Sequence, residues 1–268
     1  YDFSKFAFAK SPFMPQYHTL GQIPPKRHTQ FRKPDGTLYS EELFSTHGFS
    51  NVYSLIYHAH PPTIVKELGE TFSREPKIAH QRSLKAYSLL GFNVQPEDDF
   101  IMSKKCVLVN NDLQISLAAP KKSITDYFLK NADADEMIFV HEGSGILHTL
   151  YGSIPFSYGD YVMIPRGTIF QLEFNDSNNR LLIVESFSPI EIPKRYRNEY
   201  GQLEEHAPYC ERDIRKPSNL RTFDEKGDFK VLIKKQGIVY TYIYGTHPFD
   251  AIGWDGNHYP WAFSIHDF

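Results

Sequence analysis

The sequence predicts a mainly β fold, closed into a jelly-roll sandwich or barrel. Three observations carry that prediction. Between residues 106 and 187, short apolar runs recur at roughly 8–12-residue spacing with turn chemistry between them. No long stretch sustains the 3.6-residue apolar period of a helix, and Pro and Gly interrupt the early part of the chain. Aromatic residues make up 15% and hydrophobic residues 41% of the 268 residues, enough for a sizeable core. Such a composition excludes collagen-like, disordered and coiled-coil classes. No apolar run approaches the ~20 residues needed to cross a bilayer. With 29 basic against 32 acidic side chains, nothing points to a nucleic-acid partner. Two cysteines, Cys106 and Cys210, are too few to staple a chain of this length, which favours a reducing, cytoplasmic compartment.

Taken in order, residues 1–13 read as an extension or as an edge strand with Phe6 and Phe8 on one face, and Met14 as a natural start. Pro24-Pro25, Lys33-Pro34-Asp35-Gly36 and Pro61-Pro62 are turn signals around a β-rich stretch at 51–60. Residues 80–95 fit either a short helix ended by Gly91 or part of a strand. Two strands flank Asn110-Asn111-Asp112, and further strands follow at 136–141, 146–151, 161–165, 169–174 and 181–187. From Pro189 the sequence is charged and Pro-interrupted, as expected of a surface-crossing connection. Strands return at 229–233 and 237–244. The last ten residues, YPWAFSIHDF, form an aromatic-dense end that needs a packing surface and reads as a truncation.

The most specific local pattern is Gly159-Asp160 followed by Pro165-Arg166-Gly167, a glycine, five residues, then Pro-x-Gly. Gly-Asp permits a tight turn into a strand and Pro-x-Gly forms the turn out of it. This is the second signature of cupin barrels, and Glu136 to Gly145 resembles the end of the first. A metal-bearing cupin places a His-x-His pair a few residues before the motif glutamate and another His after Pro-x-Gly. Here those places hold Lys130 to Asp135 and Phe170. The barrel is therefore expected to be apolar inside and to bind no metal, and His141 and His148 do not replace the missing pair. His58-Ala59-His60 is the one His-x-His; with Glu67 or Glu70 it would make a two-His, one-carboxylate set, but Pro61-Pro62 follows at once and neither spacing is diagnostic. Cys210 has no identifiable activating base. Lys26-Arg27-His28 and Arg32-Lys33 suit a solvated surface or intersubunit salt bridges better than an anion site. Dinucleotide, phosphate-loop and serine-elbow motifs are absent. No catalytic, cofactor-binding or metal-ligating residue is assigned.

The order of several blocks resembles homogentisate 1,2-dioxygenase. The residues that carry it are Tyr17 to Phe31 (YHTLGQIPPKRHTQF), Lys33-Pro34-Asp35-Gly36, Tyr57 to Thr63 (YHAHPPT), Val109 to Asp112, and Gly253-Trp254-Asp255-Gly256 with Tyr259-Pro260. They run from about residue 14 onward. The resemblance implies a cytoplasmic oxidoreductase of phenylalanine and tyrosine catabolism that uses non-haem Fe(II) and O₂ to convert homogentisate to maleylacetoacetate, assembled as a trimer or hexamer. It also implies that the iron ligands and a proton-transfer histidine lie in a C-terminal catalytic domain that this chain does not contain. On that reading 1–13 is an extension, 14–95 an irregular and β segment packing on the barrel, 96–190 a metal-free cupin-like barrel, and 191–268 a linker with strands leading toward the catalytic domain. The alternative is a metal-free cupin that binds or scaffolds without catalysis.

Overall fold

Alternation of buried and exposed residues along the strands fixes which face of each sheet turns inward. In the computed structural model, which describes residues 16–79, 83, 85–199 and 201–267, β1 (His18–Gly21), β2 (Ser40–His47), β3 (Ser50–His58) and β4 (Val65–Ser73) come first. Residues 1–13 lie outside the described part. One short helix, α1 (Phe100–Ser103), is capped by Asp99, whose carboxylate accepts from the Met102 N–H at 2.9 Å. Nine strands then follow in close succession: β5 (Lys105–Val109), β6 (Leu113–Ala118), β7 (Phe128–Asn131), β8 (Asp135–Glu142), β9 (Gly145–Thr149), β10 (Gly152–Phe156), β11 (Asp160–Ile164), β12 (Ile169–Phe174) and β13 (Arg180–Ser186). After the long connection come β14 (Lys226–Lys235), β15 (Ile238–Thr246), β16 (Ala251–Gly256) and β17 (Trp261–Ser264).

Two sheets make a cupin-like jelly-roll sandwich. One has the order β17-β11-β8-β13-β6-β5, the other β10-β9-β12-β7-β14-β15-β4. Only β7 and β14 pair in parallel among the named strands. The seven-stranded sheet draws on three separate stretches of sequence, because β4 and the hairpin β14–β15 extend the edge that β7 would otherwise present. Between the sheets lies an apolar cluster that includes Ile138, Val140, Leu147, Val162, Phe170 and Ile183. A third sheet, β1-β16-β3-β2, packs outside the sandwich over a second cluster around Ile56, Tyr151, Met163 and Trp254. Trp254 is fully buried, and its indole N–H donates to the Tyr151 carbonyl at 2.8 Å.

The expected strands from residue 106 onward form, with ends shifted by up to three residues. Gly159 and Gly167 both take positive φ, +86° and +87°, so the motif glycines supply the turns that spacing assigned to them. Residues 91–93 form a 3-10 turn, while 85–90 have no regular structure. Several strands carry no apolar run and were not expected. The clearest is β4, exposed along nearly its whole length and held by its ladder to β15. The aromatic end finds its packing surface within this chain: β17 pairs with β11, and Tyr161 stacks on Phe263 at 5.1 Å.

Candidate functional site

Period-two alternation runs five inward-facing rows toward the same end of the sandwich, and each row ends on a polar side chain. Ile138 gives way to Glu136 on β8 and Ile183 to Glu185 on β13. Leu129 gives way to Asn131 on β7, Leu232 to Lys234 on β14, and Ala118 to Ser116 and Gln114 on β6. Lys104, in the turn between α1 and β5, reaches into the same mouth. The result is a buried ionic ring.

Its geometry is tight. Lys104 Nζ donates to Glu136 Oε1 at 2.5 Å and lies 3.1 Å from Glu185 Oε2, a close ion contact without the direction of a hydrogen bond. Lys234 Nζ donates to Glu185 Oε1 at 2.5 Å, and the Asn131 amide donates to the same oxygen at 2.6 Å. Asp133 Oδ2 stands 3.9 Å from Lys234. The carboxylates of Glu136 and Glu185 are only 2% and 1% exposed, so each charge depends on its partner. Burial alone would raise the Glu185 pKa and lower that of Lys104. The neighbouring opposite charges win, and the Glu185 carboxyl is held well below the usual range while Lys104 is pushed up. In front of the ring lies a cavity of about 470 Å³, with Phe100, Ile101 and Leu129 on its apolar side and Arg74, Lys77 and Lys105 on its polar side.

This mouth is where the cupin pattern would place a metal, and the donor set does not fit one. Asn131 and Phe170 stand where imidazoles would be needed. Glu136 and Glu185, the carboxylates present, are already neutralised by two ammonium groups that would repel a divalent cation. Among the described residues no group of three or more His, Cys, Asp or Glu side chains could hold a metal ion. The expectation of an apolar barrel interior needs correction. It is apolar through its middle, but one end carries charges that alternation places inward.

The other singled-out residues are dispersed. His58 is buried, its Nδ1 2.7 Å from Asp250 Oδ1 and its Nε2 3.1 Å from Glu42 Oε2. Burial pulls its pKa down, but the two carboxylates overcome that and raise it to about 9. His60 approaches Asp224 at 2.5 Å and donates its backbone N–H to Asp250. Glu67 and Glu70, the carboxylates that a metal set on this pair would have needed, are on exposed β4. His141 packs edge-on against Phe92 at 4.8 Å. His148 is half-buried between Ser153 Oγ (3.0 Å) and Glu173 Oε2 (2.8 Å). Cys106 and Cys210 are both free thiols, and the Cys210 N–H bonds to Asp213. In the basic cluster, Arg27 donates to Asp255 (2.6 Å) and Tyr53 (2.8 Å), while Arg32 and Lys33 donate to the carbonyls of Gly36 and Ala59. These three cations brace loops; Lys26 and His28 are exposed.

The residues that matter at the mouth, Lys104, Glu185 and Lys234, were not singled out from sequence. A signal was present for two of them: Glu185 and Lys234 stand at inward positions of otherwise apolar strands, LLIVES and VLIK. Lys104 had none, since it acts from a turn.

Comparisons with known proteins identify a family and a relative. Residues 99–265, more than half of the chain, match the family described as homogentisate 1,2-dioxygenase N-terminal. A relative from Saccharolobus solfataricus, named "Putative dioxygenase SSO1533", is 41% identical over 251 residues. That alignment covers 94% of this chain and 64% of the relative, so the chain spans less than two thirds of the relative's length. Among solved structures, a cupin-2 domain containing protein from Shewanella frigidimarina is 23% identical over 31% of this chain and 79% of its own, with a TM-score of 0.28. A protein from Neisseria meningitidis is 15% identical over 38% of this chain and 99% of its own, with a TM-score of 0.30. At these scores neither likeness bears on what the site does.

Proposed function

The chain belongs to the homogentisate 1,2-dioxygenase N-terminal family, and we propose that it is the structural part of an Fe(II)-dependent dioxygenase that opens the ring of homogentisate with O₂ to give maleylacetoacetate. The family match over residues 99–265 carries this reading. The ionic mouth supports the division of labour: its ammonium-paired carboxylates suit a scaffold, with the iron ligands supplied by polypeptide outside these 268 residues. Iron, where bound, would activate O₂ and the substrate phenolate. No step of that chemistry is assigned to a residue of this chain. The reading extends to a cytoplasmic homo-oligomer, a trimer or hexamer, acting in phenylalanine and tyrosine catabolism. Among the described residues no helix is long and apolar enough to cross a membrane. An apolar groove lined by Leu89, Phe92, Phe139 and Leu182 on the outer face of the six-stranded sheet is compatible with association.

The test is metal analysis together with oxygen uptake. The purified 268-residue chain, supplied with Fe(II), is expected to hold no stoichiometric iron and to show no homogentisate-dependent O₂ consumption. The same measurement on the product of the whole gene is expected to show both. Turnover by the 268-residue chain alone would overturn the scaffold assignment. A metal-free binding protein without catalysis is the second reading, favoured by the open cavity at the mouth. An inactive, iron-free whole-gene product would select it.

A further inference from the structure

The geometry of the barrel mouth points to a binding site for a small organic monocarboxylate, an assignment independent of the dioxygenase reading. The argument begins with donors. An ammonium group carries three N–H bonds. Lys104 directs one at Glu136 and faces Glu185 with another, and Lys234 directs one at Glu185. Both side chains line the cavity and both are only 10% exposed, so two ammonium groups face its interior beyond the bonds they make to the glutamates. A carboxylate entering the cavity would accept from them.

Charge and shape narrow the ligand. Arg74 and Lys77 also line the cavity, against the single further carboxylate of Glu75, so an anion is drawn toward it, while Lys105 there is paired with Glu97 at 2.6 Å. Glu136 and Glu185 already share the two lysines, and inorganic phosphate has no apolar part to set against the rest of the cavity. The opposite wall is Phe100, Ile101 and Leu129, which suits an apolar body and gives no hydrogen bonds to a polyol. A volume of about 470 Å³ accommodates a short aliphatic or single-ring acid.

The experiment uses the intact 268-residue chain with ¹³C-labelled Ile and Leu methyl groups, titrated at pH 7 with hexanoate, hexylammonium and inorganic phosphate in parallel. Hexanoate is expected to shift the Ile101 and Leu129 methyls saturably, with a Kd on the order of 1 mM or tighter, and to leave Leu172, deep in the barrel core, unmoved. Hexylammonium and phosphate are expected to produce no saturable shift at those methyls. Lys234→Met is expected to weaken hexanoate at least tenfold, whereas Lys122→Ala, on the exposed surface, leaves it unchanged. Absence of saturation by hexanoate, equal response to hexylammonium or phosphate, or unchanged affinity in a folded Lys234→Met variant would overturn the assignment. Should that variant fail to fold, the three-ligand comparison on the wild-type chain decides alone. Because no step involves iron or homogentisate, failure here leaves the dioxygenase reading standing, and the converse also holds.

Discussion

Among the described residues, two buried ionic clusters differ in what lies beside each one. At the barrel mouth, Lys104, Lys234, Glu136 and Glu185 face a cavity of about 470 Å³. Around His58 the neighbouring cavity is about 30 Å³, room for one water, and the polar atoms are closely matched: Asp250 gives one oxygen to the His58 ring and the other to the His60 N–H. The first cluster pairs two ammonium groups with two carboxylates, and the second is built around a histidine. Burial costs both of them solvation, so each must be held by opposite charge. The contrast shows that similar ion pairing serves two ends, a charged surface kept ready at an opening and a closed tie joining β2, β3 and the turn before β16.

Removing the shared carboxylate at the mouth is expected to have the largest effect. Glu185→Leu leaves Lys104 with Glu136 alone and Lys234 with only the distant Asp133. Uncompensated buried charge of this kind costs roughly 3–5 kcal/mol. Urea denaturation at pH 7 should show a matching fall in midpoint, with the slope unchanged. A loss below about 1 kcal/mol would mean that water reaches the lysines freely and the ring is not a buried cluster.

The His58 tie makes a smaller, pH-dependent contribution. Its folded-state pKa of about 9 lies above the ordinary 6.5, so the imidazolium is the favoured form in the folded chain. The stabilisation is fully present below pH 6.5 and is lost as pH rises through 9. From the shift its upper bound is about 3 kcal/mol, reduced by solvent screening because Glu42 is one-third exposed. Comparing wild type with His58→Gln by denaturation from pH 6 to pH 9.5 should show the stability gap shrinking as pH rises. A gap that stays constant over that range would remove the charge from the account and leave only a neutral hydrogen bond.

How much of this was legible in the sequence depends on which physical signal each residue leaves. Strands such as β8, β12 and β13 announce themselves because half their residues are apolar and in phase. β4 leaves no such mark, since its side chains are exposed and its stability comes from backbone pairing with β15. The His58-Ala59-His60 spacing was visible, but its real partners, Glu42 and Asp250, are 16 and 192 residues away. Strand pairing brings them there, and no local pattern records it. The ionic mouth was half legible: Glu136 belonged to a recognised motif, and Glu185 and Lys234 broke the apolar rule at inward positions. What could not be read was that charges from four separate segments meet, because that depends on register. That Lys104 and Lys234 neutralise the carboxylates beside the cupin motif positions left no local mark.

His148 supplies the smallest effect and the sharpest control on the comparison. It resembles His58 in part, an imidazole on a carboxylate, Glu173 at 2.8 Å, but its second partner is the Ser153 hydroxyl at 3.0 Å where His58 has Glu42. Its surroundings differ. The His148 side chain is 30% exposed and that of Glu173 53%, against 4% and 6% for His58 and Asp250. Water can replace either partner, so the contact exchanges one set of hydrogen bonds for another at little net gain. His148→Gln is therefore expected to change stability by less than about 1 kcal/mol at pH 7. A loss matching that of His58→Gln, measured in the same denaturation series, would show that burial is not what distinguishes the two histidines. A negligible loss would assign the difference to burial together with the second carboxylate, Glu42, that His58 has and His148 lacks.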